Sequence, residues 1–593
     1  MAPAKKRKNT PTKTSSSGTK KGSKTGSKSA PVDFYLSVRM REKYSLNEEL
    51  EWVDSIPECP VYRPSMEEFQ DPLAYLQTIA QEASKYGICK IVSPWKATVP
   101  AADVLTKEIK GFKFKSYIQP LRLHEWNRND KASFDMKQTN HTFRSFEKLA
   151  NKEFAKRFPH SPNLSPADME KEYWHEMGRG NEKVEYAVNI DGSAFSSNPN
   201  DQLGQSKGNL KTLPKLPYST LRLLSYSIPG VTEPMLYIGM IFSTFAWHVE
   251  DHYLYSINYH HSGAPKSWYG VPCSAAHEFH KVVMDRVYAP EVLVRGGEDG
   301  ASALLAEKTT MFPPNILRRK GVPVFKAVQM AGDYVITFPR AHHAGFSQGF
   351  SIGEAVNFAD GGWFPWGAVA GEEYARLSKQ VILSNEELMC KEAISLFDSS
   401  NDESSDHPST ELACHSSTKM YFIKHMEMLY NNLRHLCNSE AAFSYSENDL
   451  QSFICPHCTR GCYLAFFECD SCPSHGCLFH DFDSRNCTQP SCLGTMVIKL
   501  RQDIWEVVEA YEKFREEGSS EQDGQQVDQL PNLPSCIKEG LARSDEVDRR
   551  GKKPAIAEFE LIVQPFPKDS KRPRTKGRLH RTDPELRWGS SIK

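Results

Sequence analysis

Residues 242–272 read FSTFAWHVEDHYLYSINYHHSGAPKSWYGVP. Within them His248 and Glu250 stand two apart. In extended backbone residues i and i+2 point to the same side, so an imidazole and a carboxylate can reach one metal ion. A later stretch, Phe338-Pro339-Arg340-Ala341-His342-His343-Ala344-Gly345-Phe346, supplies candidates for a third ligand. Adjacent strand residues face opposite sides, so only one of His342 and His343 can join the pair. Two histidines and one carboxylate on one face of an octahedron leave three positions open. That donor set suits non-haem iron(II), with 2-oxoglutarate chelating at two positions and oxygen at the third. His-x-Glu alone is a frequent pattern, most often a surface pair, and its neighbours give it weight. Asn258 and Lys266 follow at eight-residue steps. A lysine buried among the aromatics of Gly263–Gly270 would need an anion, and the far carboxylate of 2-oxoglutarate would be one; a surface lysine is the alternative.

Short strands punctuated by Gly and Pro surround this centre: Met235–Ile241, Tyr253–Tyr259, Ser267–Val271, Tyr334–Phe338 and Gly353–Phe358. They predict a double-sheet β barrel within an α+β chain. Upstream, Ser65 and Glu68 form a capping-box pattern. Asp71-Pro72 starts a helix whose apolar face is Leu73, Leu76, Ile79, Ala80 and Ala83. Gly87 ends it before the strand Ile88–Val92. Glu170–Met177 predicts a helix, and Tyr186–Phe195 a hairpin turning at Asp191-Gly192. Two or three helices are expected over 372–443, broken by a flexible loop at Ser399–Ser409, and one amphipathic helix over Asp503–Glu516.

Charge and cysteine are unevenly spread. The net charge is −1, yet residues 1–29 hold many lysines and no acid, and Lys568–Arg581 is also basic. Residues 1–47 and 516–593 read as disordered tails, with Lys5-Lys6-Arg7-Lys8 resembling a nuclear import signal. These tails are candidates for weak DNA contact. There is no apolar run of about 18 residues and no secretory h-region, so no membrane segment or signal is expected. Eight of the 15 cysteines crowd between Cys455 and Cys492. Such crowding points to metal binding in a reducing compartment rather than to disulfides. Cys455-x2-Cys458, Cys469-x2-Cys472 and Cys477-x2-His480, followed by Cys487 and Cys492, suffice for two closed zinc sites.

Taken together, FSTFAWHVEDHYLYSINYHHSGAPKSWYGVP, HAGF at 343–346 and GEAVNFA at 353–359 are very similar to the iron-binding core of JmjC histone lysine demethylases. Pro60–Val92 resembles the JmjN element that accompanies one group of them, and the cysteine segment resembles the C5HC2-type finger of plant and animal members. The resemblance implies a jelly-roll (double-stranded β-helix) barrel over 216–380 with a JmjN element over 58–97. A mixed region fills 98–215, helices 381–445, and a zinc finger with its helix 450–515. It implies iron ligands His248, Glu250 and His343. Asn258, Lys266 and Tyr186 would contact 2-oxoglutarate, with Phe245 and Trp268 as pocket walls, and Tyr237 would line a methyl-lysine pocket. It suggests crossed zinc ligation, Cys455, Cys458, Cys477 and His480 on one ion and Cys469, Cys472, Cys487 and Cys492 on the other, with Cys462 as a spare core thiol.

The implied activity is demethylation of trimethylated lysine 27 of the histone H3 tail in nuclear chromatin, releasing formaldehyde and succinate and removing a repressive mark. Lysines 9, 4 and 36 of the same tail, or a non-catalytic chromatin-binding role, are the alternatives. Three departures from the family pattern stand out. The hairpin reads Tyr186-Ala187-Val188-Asn189, and Ala355-Val356 replaces the usual Ser-Thr beside the methyl-lysine pocket. No cysteine lies between Cys273 and Cys390, so a zinc site that some animal members carry in the catalytic core is missing.

Overall fold

The computed structural model describes residues 40–520 apart from 45, 47–49, 124–134, 161–163, 294–296, 400–408, 439–441, 447–452, 480–491 and 493. Nearly all of both basic tails, almost the whole of the expected loop Ser399–Ser409, His480 and Cys487 therefore lie outside the described residues. Among the described residues no helix is long and apolar enough to cross a membrane.

The JmjN-like segment begins with the Ser65–Glu68 capping box. Ser65 N–H donates to Glu68 Oε2 (2.7 Å) and Glu68 N–H to Ser65 Oγ (3.1 Å), though what it caps is one 3-10 turn, Glu68–Gln70. Helix α1 (Pro72–Ala83) is capped by Asp71, whose Oδ1 accepts from the backbone of Leu73 and Ala74. Its apolar face packs in one core cluster with Phe69, Ile91, Ile257 and Tyr334. That burial holds the segment against the barrel. Strands β1 (Val61–Tyr62) and β2 (Ile88–Val92) are thereby added to the barrel's larger sheet.

The barrel proper takes β3 (Lys113–Leu121), β4 (Asp135–Thr142), β5 (Glu182–Asp191), β6 (Met235–Gly239), β7 (Thr244–His248), β8 (Tyr255–Gly263), β9 (Lys266–Val271), β10 (Phe325–Gln329), β11 (Asp333–Thr337), β12 (His342–Ser347) and β13 (Ser351–Phe358). One sheet runs β1-β2-β11-β8-β13-β6-β5-β3-β4, the other β10-β9-β12-β7. Every pairing except β1–β2 is antiparallel. This is the double-sheet α+β architecture expected.

Two local expectations change. Asp191-Gly192 ends β5 rather than closing a hairpin. β5 pairs instead with β3 and β6, because β3, a strand of alternating buried and exposed residues, lies beside it. His248 is the last residue of its strand, so Glu250 lies in the turn that follows, not on the strand. Its own backbone is still extended (φ −67°, ψ 152°), and this preserves the i, i+2 relation.

Beyond the barrel come helices α2 (Phe364–Leu377), α3 (Asn385–Ser399) and α4 (Ser409–Asn438), then the cysteine segment and α5 (Ile504–Ser520). Ile504, Val507, Val508 and Tyr511 of α5 are buried in one cluster with Leu388, Leu429, Leu464 and Phe467. The cysteine segment therefore shares a core with the helices. Glu386 ties them by hydrogen bonds as well: its carboxylate accepts from the backbone of Tyr463 and Leu464 and meets His425 Nε2 at 2.7 Å.

Candidate metal centre and cosubstrate pocket

β7 and β12 lie side by side with His343 opposite His248. Their ring centroids are 4.2 Å apart, and Glu250 Oε1 approaches His343 Nε2 at 3.4 Å. One donor atom from each of the three lies within 4.8 Å of the others. The Nδ1 atoms face backbone carbonyls, His248 that of Ala246 at 2.7 Å and His343 that of Ala341 at 3.0 Å. A carbonyl only accepts, so Nδ1 carries the proton and the Nε2 lone pair is left for the centre. Three acceptors thus converge on one point, an arrangement satisfied by a cation rather than by a hydrogen bond. Burial, then the neighbouring His343, pushes the His248 pKa down to about 3, keeping the ring neutral. Burial alone would raise Glu250, but contact with His343 and the charge of Lys308 hold its carboxyl well below the usual range. Neutral imidazoles and an ionised carboxylate are the forms a metal needs.

His342 points away from this centre. It stacks on Phe279 (4.0 Å between centroids) and meets His280 edge-on.

Phe245 and His248 are three apart and would face opposite sides of a regular strand. The register against β12 shifts between His343 and Gly345, so three steps on β7 match two on β12. That bulge brings Phe245 against Trp268, 4.6 Å between centroids, while Trp268 stacks towards His343 at 6.2 Å. Gly345 is needed there, since a Cβ would lie 2.3 Å from Phe245 Cζ and 2.1 Å from the Ser267 carbonyl oxygen.

Lys266 opens β9 and is 2% exposed. Its Nζ sits 5.8 Å from the Phe245 ring, and no carboxylate faces it among the described residues. Burial pushes its pKa down to about 8. A buried ammonium facing no carboxylate is what an anionic ligand would complete. Gly353 leaves it room: a Cβ there would sit 3.1 Å from Nζ and 3.6 Å from Asn258 Oδ1.

Asn258 is held by a residue that the sequence reading missed. Gln329 accepts from Trp268 Nε1 (2.9 Å) and donates to Asn258 Oδ1 (3.1 Å), so the Asn258 Nδ2 donors remain for a ligand. A strand glutamine carries no sequence signal for this. Its fully buried position on β10 makes the connection.

Tyr186 is buried on β5, its pKa raised by burial and by Tyr237 nearby. Tyr237 lies opposite Gly353 on β6. Burial, then the charges of Glu250 and Asp251, raise its pKa. The register of β5 against β6 shifts between Ala187 and Ile190. Asn189, with φ 52°, lies in that shifted stretch and accepts from the Tyr237 hydroxyl at 3.2 Å. Of Ala355 and Val356, only Ala355 shares the face of Gly353 and Asn258. Val356 packs on the other side with Phe69 and Leu73, so it does not border the pocket.

In the cysteine segment, Cys455, Cys458 and Cys477 form one cluster and Cys469, Cys472 and Cys492 another. Cys458 and Cys477 Sγ are 3.6 Å apart, Cys469 and Cys492 Sγ 3.8 Å. Zinc–thiolate bonds of about 2.3 Å in a tetrahedron set neighbouring sulfurs roughly 3.8 Å apart. Backbone N–H groups of Cys477, Ser471 and Gly494 donate to cluster sulfurs, as thiolates require. His457 is exposed, and His475 Nδ1 is engaged by the Pro473 carbonyl at 2.8 Å. Neither joins a cluster. Cys462 is buried, with its Sγ towards the Arg460 carbonyl.

Fold and centre together define a protein with a JmjC domain and a jmjN domain. Residues 235–358 match the family described as JmjC domain, hydroxylase, and residues 60–93 match the jmjN domain. The donor set fits the iron(II) and 2-oxoglutarate on which that family depends, and the cysteine clusters fit zinc. The chain is 47% identical over 489 residues to the lysine-specific demethylase JMJ706 of Oryza sativa subsp. japonica, covering 81% of this chain and 56% of that protein. It is 35% identical to the rice lysine-specific demethylase JMJ705, over 58% of this chain and 29% of that one. It is 33% identical to the lysine-specific demethylase REF6 of Arabidopsis thaliana, over 57% and 27%. The chain thus spans a little over half the length of the first and under a third of the other two.

Proposed function

We propose that this chain is an iron(II)- and 2-oxoglutarate-dependent histone lysine demethylase of nuclear chromatin, acting on trimethylated lysine 27 of the H3 tail. The observation that carries the reading is the convergence of His248, Glu250 and His343 beside a buried Lys266 that no carboxylate faces among the described residues. The relatives' names as lysine-specific demethylases support the substrate class. In this reading the three converging residues hold iron, and Lys266, Asn258 and Tyr186 bind and orient the cosubstrate. Phe245 and Trp268 wall the pocket and exclude water. Tyr237 presents a ring to the methylated ammonium. Ala355, small and without a hydroxyl, leaves room for three methyl groups. With oxygen, the iron–2-oxoglutarate pair supplies hydroxylation of one N-methyl group, yielding succinate and carbon dioxide, after which the hydroxymethylamine releases formaldehyde. Cys455, Cys458, Cys477 and His480, and Cys469, Cys472, Cys487 and Cys492, would hold two structural zinc ions.

The test is a panel of H3 peptides methylated at lysine 27, 9, 4 or 36, with formaldehyde and succinate both measured. Equal amounts of both from the trimethyl-lysine 27 peptide are expected. Formaldehyde from the lysine 9 peptide alone would move the assignment to that residue. Succinate with a stable hydroxylated product would make the chain a hydroxylase of another kind. Peptide binding without either product would make it a chromatin-binding module.

A further inference from the structure

The three residues after Glu250 form an unusual turn. His252 and Tyr253 both adopt left-handed backbone (φ 52° and 53°), a region that side chains other than glycine seldom occupy, least of all two in succession. Both are nearly fully buried. Within the turn, Tyr253 N–H donates to the Glu250 carbonyl (3.0 Å) and Leu254 N–H to that of Asp251 (3.1 Å), and further contacts reach it from outside. His252 N–H donates to Tyr374 Oη (3.1 Å), its carbonyl accepts from Trp363 Nε1 (2.9 Å), and its Nε2 accepts from Ile382 N–H (3.0 Å). Asp251 Oδ1 accepts from Lys379 Nζ at 2.8 Å and from Tyr374 Oη at 3.2 Å, and its Oδ2 accepts from Lys308 Nζ at 3.2 Å. Tyr253 Oη donates to Glu373. Apart from Lys308, these partners lie on or immediately beside α2, the first helix after the barrel. A small cavity lined by Glu250, His342, Lys308, Glu373, Tyr374 and Lys379 lies between helix and turn, and the His252 ring packs on Tyr374 at 4.7 Å between centroids.

We infer that α2 and its C-terminal extension clamp the Asp251–Tyr253 turn through Tyr374 and Lys379, and so aim the Glu250 carboxylate at the metal centre. The proposal rests on the reading of Glu250 as a ligand. Glu250 lies past the end of β7, with no strand partner to fix its backbone. Its direction follows from the φ and ψ of the turn, and a left-handed pair relaxes when its hydrogen bonds are removed. Tyr374 and Lys379 are positioning residues. They touch neither the metal ligands' donor atoms nor the pocket around Lys266. A cysteine-free region thus orients a ligand by a carboxylate, a phenol and two ammonium groups.

The test measures metal affinity apart from turnover. Anaerobic titration of the metal-free full chain with iron(II), and with redox-silent manganese(II), is made for wild type, Tyr374→Phe, Lys379→Met, Lys379→Arg and His248→Ala. Thermal melting of each metal-free protein is recorded alongside. Loss of a hydrogen bond to a charged group predicts metal affinity about tenfold weaker in Lys379→Met and less so in Tyr374→Phe. Melting of the metal-free proteins should be nearly unchanged, and Lys379→Arg should recover the affinity, since its guanidinium can still bond Asp251. Wild-type affinity in both Tyr374→Phe and Lys379→Met, with His248→Ala weakened, overturns the clamp while leaving the ligand assignment standing. A loss that Lys379→Arg does not recover, or that merely tracks a lower melting temperature, overturns it too. Equal metal affinity in wild type and His248→Ala would instead bring down the ligand assignment itself.

Discussion

The two metal-binding regions are built in opposite ways. The His248–Glu250–His343 centre sits on a barrel whose strands are already paired and whose flanks are packed. Its histidines are oriented by backbone carbonyls. Among its described residues the cysteine segment has only short strands, Ala442–Tyr445, Met496–Leu500, Ala465–Cys469 and His475–Gly476 in one sheet and Phe453–Ile454 and Gly461–Cys462 in another. Its thiols make up much of its own small core of Cys455, Cys462 and Cys477. The barrel makes its metal site, whereas in the cysteine segment the metals would complete a fold that otherwise leans on the core it shares with the helices. A site that keeps open coordination positions must be rigid without its ion. A closed four-ligand site need not be.

The largest effect should come from the zinc clusters. Structural zinc in isolated fingers is worth on the order of 10–16 kcal/mol. Chelation, or Cys469→Ser, is therefore expected to lower zinc from about two ions per chain and to raise hydrogen exchange across residues 453–515 while the barrel strands stay protected. Retained zinc and protection in the mutant, with loss of turnover only, would remove the contrast between the two regions. Next, His248→Ala or Glu250→Ala should abolish formaldehyde release while the metal-free protein melts within a few degrees of wild type. A collapse of the barrel in either would show that the metal centre, too, is part of the fold.

How far the sequence disclosed these two regions differs for a physical reason. The cysteine ligands follow one another at short spacing, so ligands for two zinc ions could be counted directly, while their crossed division came from the family resemblance. Three members of each set are found together, and His480 and Cys487 lie outside the described residues. In the barrel, the alternation around 235–271 and 334–358 and the residues of the metal centre were legible. Gln329 was not, because it meets Asn258 across 71 residues of sequence, and nor was β3, whose pairing with β5 displaced the expected hairpin.

A third test sharpens the barrel half of the comparison. Lys266→Ala is expected to raise the 2-oxoglutarate requirement about ten- to hundredfold, the worth of a charge-assisted hydrogen bond, with little change in peptide binding. Tyr186→Phe should act the same way, more weakly. The same lysine sets a pH dependence. Burial lowers its pKa to about 8, so the ammonium that a carboxylate needs is present below pH 8 and is lost as pH rises through that value. Cosubstrate affinity, measured with a redox-silent metal, should hold up to about pH 8 and then fall roughly tenfold per pH unit. A flat profile, or unchanged affinity in both mutants, would mean that the cosubstrate lies elsewhere.

The smallest effect concerns the substrate side. Tyr237→Ala should weaken turnover of the trimethylated peptide by a cation–π contribution of about 0.5–2 kcal/mol without lowering the melting temperature. A large drop in melting temperature would make Tyr237 a core residue.

The sequence by itself determined the chemical inventory: which side chains could be ligands, that strands of period two would surround them, and that a second, thiolate-rich region would follow. These are properties of residue type and short spacing. The tertiary structure decided what depends on residues distant in the chain. It set the bulge in β7 that turns Phe245 to the same side as His248, the stacking of His342 on Phe279, and the exclusion of Val356 from the pocket. It also set the grip of α2 on the turn after Glu250 and the burial of Glu386 between helices and cysteine segment. Register, bulges and clamps arise only when strands and helices far apart in the chain compete for the same hydrogen bonds and the same buried space, and no local pattern encodes the outcome.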